Sequence, residues 1–294
     1  MKTYIQLLIN QRAGSLLSRK NLQELKQVWS APKYILDIAY ISSKTESMDR
    51  ARKVKQHGYD QLIIAGGDGT LNTIGSALIG SNIPIGVLPT GSGNGFARHY
   101  GIPLNIEEAA YTLRQGKLDW LDAGFANGNP FFVTCSCGWE ASLLQIYEKS
   151  IFRGLSGYVY AGLHQTAFYR SQPLQLHLPG QIIHLNQPYI CTFANLSQYG
   201  NNIVISPSST GDDGKLQLVA IEQSDVFSVL KMMTEQQDAL AHLMHPEVIS
   251  RSFTSLRLHR NHITPLQLDG ELFQTQETVE LTVRPKALQI IVPT

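Results

Sequence analysis

Two stretches of this chain place a cluster of glycines where an apolar run gives way to a helical pattern. "QLIIAGGDGTLN" (Gln61 to Asn72) is the first, and "IPIGVLPTGSGNGFAR" (Ile83 to Arg98) is the second. An apolar strand that ends in glycines and reopens as a helix points to a mainly parallel α/β sheet. In such a sheet, strand carboxyl ends, backbone N–H groups and helix N-termini meet along one edge. The flanking pattern agrees. "TYIQLLI" (Thr3 to Ile9) and "YILDIAYI" (Tyr34 to Ile41) read as strands, and Leu16 to Trp29 as a helix with Leu22, Leu25 and Trp29 on one face. Thr45 to His57 reads as a polar helix stopped by Gly58, and Thr70 to Leu78 as the helix after the first corner.

The rhythm changes near Leu118. Strand-like runs then dominate, among them "FFVTCS", "YICTFANL", "KLQLVAI", "SLRLH" and "LQIIV", and several alternate as a half-exposed antiparallel sheet should. Helical stretches over Trp139 to Arg170 and Asp225 to Leu243 interrupt them. The expected fold is α/β: a Rossmann-like three-layer domain over 1–122, then a β-sandwich-like domain over 123–294, with the last strand able to return to the first domain. A length of 294 residues favours two domains.

Composition narrows the partners. Hydrophobic residues make up 43% and charged residues 16%, which is globular, and a net charge of +1 without a basic block argues against nucleic acid. No apolar run has bilayer-spanning length, and "MKTYIQLLIN" reads as a strand, not a signal peptide. Cys135, Cys137 and Cys191 lack C-x-x-C spacing, which fits a reducing cytosol with at most peripheral contact at the inner membrane face.

The corners themselves suit phosphate. A Cβ would block phosphate oxygens, tight turns need positive φ, and Gly66, Gly67 and Gly69 meet both needs, with Thr70 able to cap the helix that follows. Asp68 would repel phosphate unless a cation lies between them or a neighbouring group donates hydrogen bonds to it, so it suggests Mg2+. The alternative is a tight turn whose Asp caps a helix. Asp269 and Glu271, in "LQLDGELF", would project to one side of an extended strand, where one carboxylate could take a hydroxyl proton during phosphoryl transfer. A plain D-G hairpin with solvated charges is the competing reading.

GGDGT followed by L-N, then a strand ending L-P-x-G-[ST]-x-N, resembles the catalytic domain of the diacylglycerol kinase and sphingosine kinase superfamily, the small bacterial-type lipid kinases above all. The resemblance spans essentially the whole chain. It implies an ATP-dependent kinase that phosphorylates a lipid hydroxyl, diacylglycerol-like or sphingoid, with ATP and Mg2+ and a role in phospholipid metabolism. Nucleotide contacts implied are Asn10, Gly14, Ser42 (or Ser43), Gly66, Gly67, Asp68, Gly69, Thr70, Leu71, Asn72 and Ser92. Catalytic residues implied are Asp68 with Asp269 or Glu271, the last two not separable. In "TGDDGKL" the positions Thr210, Asp213 and Lys215 match a structural magnesium site, against a plain turn. Departures are Gln11 for a proline, Thr73 for a Glu and Gly95 for an Asp. An NAD kinase-like soluble-alcohol kinase, or a non-catalytic nucleotide- or lipid-binding relative, is the alternative, and the oligomeric state is open, a homodimer included.

Other candidates read as structural. Cys135 and Cys137 face one side of a strand as core thiols, and His242, His245 and Glu247 read as a helix end without a metal. Arg98 and His99, just after the second corner, read as solvated helix residues or as aids to phosphate binding. The aromatic-rich run from Trp139 to Tyr169 reads mainly as core, with part of it available to line an apolar slot for lipid.

Overall fold

The computed structural model describes residues 2–12, 17–149, 169–222 and 248–294. The chain divides into two compact units, Met1–Leu121 with Lys286–Thr294, and Asp122–Pro285.

The first unit runs β1 (Thr3–Asn10), α1 (Arg19–Val28), β2 (Tyr34–Ile41), α2 (Lys44–Gln56), β3 (Gln61–Gly66), α3 (Asp68–Leu78), β4 (Ile85–Pro89), α4 (Gly95–His99) and α5 (Ile106–Gln115), then enters β5 (Lys117–Ala126). Its strands lie parallel in the order β2-β1-β3-β4, with Leu7 opposite both Ile38 and Ile63, and Ile63 opposite Gly86. Ile290 of the last strand pairs in parallel with Ile85 and closes the sheet. The central strands read as unbroken apolar runs because both of their faces are covered; Ile5, Leu7, Leu8, Leu62 and Ile64 are all fully buried. α1 packs with α5 and α2 with α3. That pairing follows from right-handed crossovers, since β1 steps to β2 in one direction while β2–β3–β4 advance in the other.

Local signals set the helix ends. Ser18 caps α1 in a reciprocal capping box with Asn21, so this helix starts three residues later than the apolar pattern suggests. α3 starts at Asp68, with Gly67 as N-cap, so Thr70 lies inside the first turn and is not the cap.

The second unit continues with β6 (Asn129–Phe131), β7 (Thr134–Ser136), α6 (Trp139–Lys149), β8 (Leu174–Leu178), β9 (Gln181–Leu185), β10 (Pro188–Ala194), β11 (Gln198–Gly200), β12 (Ile203–Val204), β13 (Leu216–Glu222), β14 (Val248–Phe253), β15 (Ser255–Arg260), β16 (Leu266–Leu268), β17 (Glu271–Phe273) and the long β18 (Thr278–Val292). One sheet has the order β14-β13-β10-β7-β16-β17, and β15 pairs antiparallel with both β8 and the first part of β18. Alternate residues of both sheets, including Phe193, Leu218, Phe253, Leu258, Leu266 and Leu281, form one apolar core. This is a β-sandwich-like arrangement. β18 passes from the second unit to the first at Pro285 and Lys286, and Lys286 adopts φ 49 there.

α6 ends at Lys149 within the described residues, and Tyr169 and Arg170 are not helical. The expected helix over Asp225 to Leu243 lies outside the described residues, as do His242, His245 and Glu247 and most of the aromatic-rich run.

Candidate active site

β3 delivers Gly66 and Gly67 to the sheet edge, and α3 begins at once. Gly67 (φ −107, ψ −167) carries no side chain and so gives no side-chain cap; the Thr70 N–H goes to the Gly67 carbonyl at 2.9 Å and the Asp68 N–H to its own carboxylate, which leaves the Gly69 N–H of the first turn for an outside acceptor. Beside them, Asn10 at the end of β1 donates from Nδ2 to Thr70 Oγ1 at 2.8 Å, and its own Oδ1 accepts from the Arg12 N–H at 2.9 Å. Asn10, Gly66, Gly67 and Thr70 are therefore brought together. Leu71 is buried in the core side of α3, and Asn72 lies half-buried one position further on. Thr73 Oγ1 bonds back to the Gly69 carbonyl at 3.0 Å, a local use for the residue that stands where a Glu was expected.

The second corner locks onto the first. Thr90 N–H reaches the Gly66 carbonyl at 3.1 Å. A Cβ on Gly67 would lie 2.9 Å from Gly91 Cα, and one on Gly91 would lie 2.5 Å from Gly67 Cα. The backbones touch, and that contact is why these positions are glycine. Positive φ is not the reason: among the described residues of the two corners, the left-handed conformation falls on Asn94 (φ 54). Asn94 holds it by closing a ring with Gly91, Oδ1 accepting from Gly91 N–H at 2.9 Å and Nδ2 donating to the Gly91 carbonyl at 2.8 Å. Arg98 Nε donates to the Gly93 carbonyl at 3.2 Å, so this residue secures its own corner. Ser92 stands exposed at the tip.

Asp68 joins the corners. Its two carboxylate oxygens accept from Gly95 N–H and Phe96 N–H, both at 2.9 Å, and so cap α4 from across the gap. Burial raises the Asp68 carboxyl above its ordinary value, and the amides of Phe96, Gly95 and Asp68 itself oppose that rise. Each Asp68 oxygen accepts one backbone N–H and keeps a second lone pair, so the amides do not use up its acceptor capacity. The helix-capping alternative fits this geometry, although the helix is the one after the next corner.

Ser42 and Ser43 follow Ile41, which lies opposite Asn10 at the end of β1. Gly14 lies outside the described residues. Ser42 is exposed, and its N–H and hydroxyl donate to Glu46 Oε2 at 3.0 and 3.1 Å, which holds the Glu46 carboxyl below its ordinary value. Ser43 Oγ accepts from Glu46 N–H at 3.2 Å at the start of α2.

In the second unit the acidic pair is not extended. Leu268 pairs with Glu271, and Asp269 (φ 49) with Gly270 (φ 84) forms the two-residue turn of the β16–β17 hairpin. Two left-handed residues in sequence are what a D-G hairpin supplies. Asp269 is buried, its carboxylate accepting from the N–H groups of Phe132, Val133 and Thr134 at 2.7, 2.8 and 3.0 Å. Glu271 is half-exposed. The two carboxylates therefore have different surroundings, not one shared side.

The "TGDDGKL" turn is organised by a residue that sequence reasoning left out. Asp122, fully buried, accepts from Gly214 N–H at 2.6 Å, and its own N–H donates to the Gly211 carbonyl at 2.7 Å. Asp213 Oδ1 accepts from Lys215 N–H at 3.0 Å, and Thr210 bridges to Leu196. Asn94 closes the second corner's motif, and an Asn between glycines signals the left-handed turn it makes. Among the described residues no group of three or more His, Cys, Asp or Glu side chains could hold a metal ion. No described helix is long and apolar enough to cross a membrane.

Comparison with known families bears on what this edge is for. Residues 5–126 match the model of the diacylglycerol kinase catalytic domain, and residues 134–292 match that of the YegS C-terminal NAD kinase beta sandwich-like domain. The chain belongs to the diacylglycerol kinase/YegS family. A diacylglycerol kinase of Staphylococcus carnosus is 26% identical over 240 residues, covering 79% of this chain and 77% of that protein. A Citrobacter koseri protein named a probable YegS-like lipid kinase is 24% identical over 82% of this chain and 81% of its own length. An uncharacterized Synechocystis protein is 24% identical over 88% of this chain, which spans only 63% of that protein. The crystal structure of a diacylglycerol kinase from Bacillus anthracis superposes with a TM-score of 0.75 at 17% identity, covering 98% of this chain and 96% of that one. At that identity the likeness speaks for the fold alone.

Proposed function

We propose that this diacylglycerol kinase family member is an ATP-dependent lipid kinase that transfers the γ-phosphate to a lipid hydroxyl. The observation that carries the reading is the first corner: a helix start with no N-cap side chain, beside glycines with no side chains and beside Asn10 and Thr70. Such a start favours negative charge through its dipole and the Gly69 amide. We assign the nucleotide phosphates to Gly66–Asn72 with Asn10, and a further contact to the exposed Ser92 hydroxyl.

Asp68 acts in this reading by fixing α4 through its amides. Glu271 accepts the hydroxyl proton as the new P–O bond forms, because the Asp269 oxygens are committed to three backbone amides. Phosphoryl transfer needs mainly positioning and charge neutralisation, so loops and one base are enough without a covalent nucleophile. The Thr210 and Lys215 carbonyls with the Asp213 carboxylate supply oxygen ligands only, the donor chemistry that suits a structural Mg2+. The substrate would be reached from a membrane surface, by peripheral contact at its cytoplasmic face.

The deciding experiment is incubation with radiolabelled ATP and Mg2+ against diacylglycerol in mixed micelles, total lipid extract and NAD. Label in a lipid product is expected. Label in NADP alone, or nucleotide binding with no labelled lipid, would overturn the reading.

A further inference from the structure

In the second unit, a buried group of oxygens lies on the sheet face opposite the apolar core. Thr192 on β10 pairs with Ser136 on β7, and Ser136 pairs with Gln267 on β16, so three polar side chains stand in a row across neighbouring strands. Their sequence neighbours Cys191, Phe193, Cys135, Leu266 and Leu268 belong to the core. The row is buried, Thr192 and Ser136 at 0% and Gln267 at 8% exposure, and α6 packs against β10, β16 and β17.

Glu140, in the first turn of α6, reaches the row. Its Oε1 accepts from Thr192 Oγ1 at 2.8 Å and from Tyr199 OH at 2.6 Å. Its Oε2 is buried and has no hydrogen-bond partner, and among the described residues no ion pair includes Glu140. Ser136 Oγ and Gln267 Oε1 are likewise buried without partners, although Gln267 Nε2 donates to Thr134 Oγ1 at 3.1 Å. Gly138 lets two oxygens close in on the same side of the chain. A Cβ there would lie 2.7 Å from Glu140 Oε2 and 2.6 Å from the Tyr189 carbonyl oxygen.

Buried polar atoms without partners are few in native proteins, and several around one carboxylate call for a ligand. The chemistry of this set is narrow. A carboxylate, a hydroxyl and an amide carbonyl offer oxygen only, which suits a hard cation. One carboxylate balances one positive charge, whereas a divalent ion would bring an uncompensated charge into a buried site. A water alone would donate to these oxygens but leave the carboxylate charge unbalanced. A water in the shell of a cation would accept from the Trp139 indole N–H, which is also buried without a partner. We propose that this centre binds a monovalent alkali cation, K+ or Na+, through Glu140 Oε2, Ser136 Oγ and Gln267 Oε1. The ion ties the start of α6 to β7 and β16. Gln267 stands four residues before Glu271 on the β16–β17 hairpin, so the ion also steadies the strand pair that presents Glu271. Only this last step rests on the lipid-kinase reading; the binding itself does not.

The test is thermal unfolding of the full chain in KCl, NaCl or tetramethylammonium chloride at one ionic strength, without divalent ions. A saturable rise of at least about 3 °C in K+ or Na+ over tetramethylammonium is expected, since a ligand of the folded state raises the melting temperature by mass action. Equal melting in all three salts would overturn the proposal without any variant. So would a rise produced by Mg2+ or Ca2+ and by neither alkali ion. Glu140→Gln removes the charge and supplies amide donors, so it should melt at one temperature in all three salts. An alkali-specific rise that survives in this folded variant would also overturn the site. With ATP, Mg2+ and diacylglycerol micelles, exchanging tetramethylammonium for the alkali ion should raise kcat at least about threefold at constant KM for ATP. An unchanged kcat beside a melting shift would overturn the link to Glu271. Labelled lipid with no alkali-specific shift would sink the ion site and spare the kinase reading; an alkali-specific shift with no labelled lipid would do the reverse.

Discussion

The two glycine corners look alike in sequence, but their helices start in opposite ways. α3 begins at Asp68 with no N-cap side chain over its first turn, whereas the first amides of α4 are filled by the Asp68 carboxylate. One corner lacks an N-cap side chain; the other has received its anion from the first. The lesson is that a repeated glycine motif need not mean a repeated site. The second corner acts as a brace that sets the position of the first, and the backbone contact between Gly67 and Gly91 is the joint between them.

The joint gives the largest expected effect. Gly91→Ala would place a methyl carbon 2.5 Å from Gly67 Cα, where the neighbour is backbone and cannot swing aside. Overpacking of this kind costs about 3 kcal/mol. Thermal unfolding should show that loss, and ATP binding should fall with it. An Ala variant with unaltered melting temperature and ATP affinity would separate the two corners and end the brace interpretation.

Asp68→Asn comes next. An amide in that place accepts one backbone N–H but turns its NH2 toward the other, and an unsatisfied buried donor costs about 1–3 kcal/mol. We expect that destabilisation together with at least a tenfold loss of lipid phosphorylation. The pH dependence has a definite sign. Because burial raises the folded-state value, folded protein holds this proton above the ordinary value of 3.8, so the stability tied to it is complete below 3.8 and falls as pH rises through the folded-state value. Asp68→Asn should flatten that decline. A decline of undiminished slope would move its origin elsewhere, to Glu140 for instance, which burial also raises.

These expectations mark what could be read from the chain alone. The parallel sheet was legible because β1 and β3 are apolar on both faces and each is followed by a helical period, features that are local. The sandwich was legible from alternation in strands such as β15, whose Leu256 and Leu258 enter the core while Arg257 does not. The partners of the charged residues were not legible, because they are distant in sequence. Asp68 finds its amides 27 and 28 residues on, and Asp269 finds its own 135 to 137 residues back. No spacing rule reaches that far. The expectation of an extended Asp269–Glu271 stretch failed for a nearer reason: D-G between short apolar runs is itself a turn signal, and turn chemistry outweighed strand periodicity.

Asn10→Ala probes the first corner from its other side. It removes the 2.8 Å bond to Thr70, a loss of about 1 kcal/mol for a partly buried pair. If the helix start at that corner receives the nucleotide phosphates, ATP affinity should fall by more than the stability change accounts for. A stability loss with ATP affinity untouched would leave Asn10 as a packing residue and weaken the assignment of this edge.

The smallest effect is the most discriminating one. Ser92 is exposed at the tip of the bracing corner, so Ser92→Ala should leave stability within about 0.5 kcal/mol. Its hydroxyl can still contribute a single solvent-competed bond to bound nucleotide, worth about 0.5–1 kcal/mol, or a two- to fivefold rise in the KM for ATP with kcat unchanged. The variant thus divides the second corner into a supporting body and a touching tip. If KM stays constant, the tip does not touch nucleotide and the whole corner is support. If KM rises a hundredfold, the second corner binds phosphate as directly as the first, and the asymmetry drawn from Asp68 is wrong.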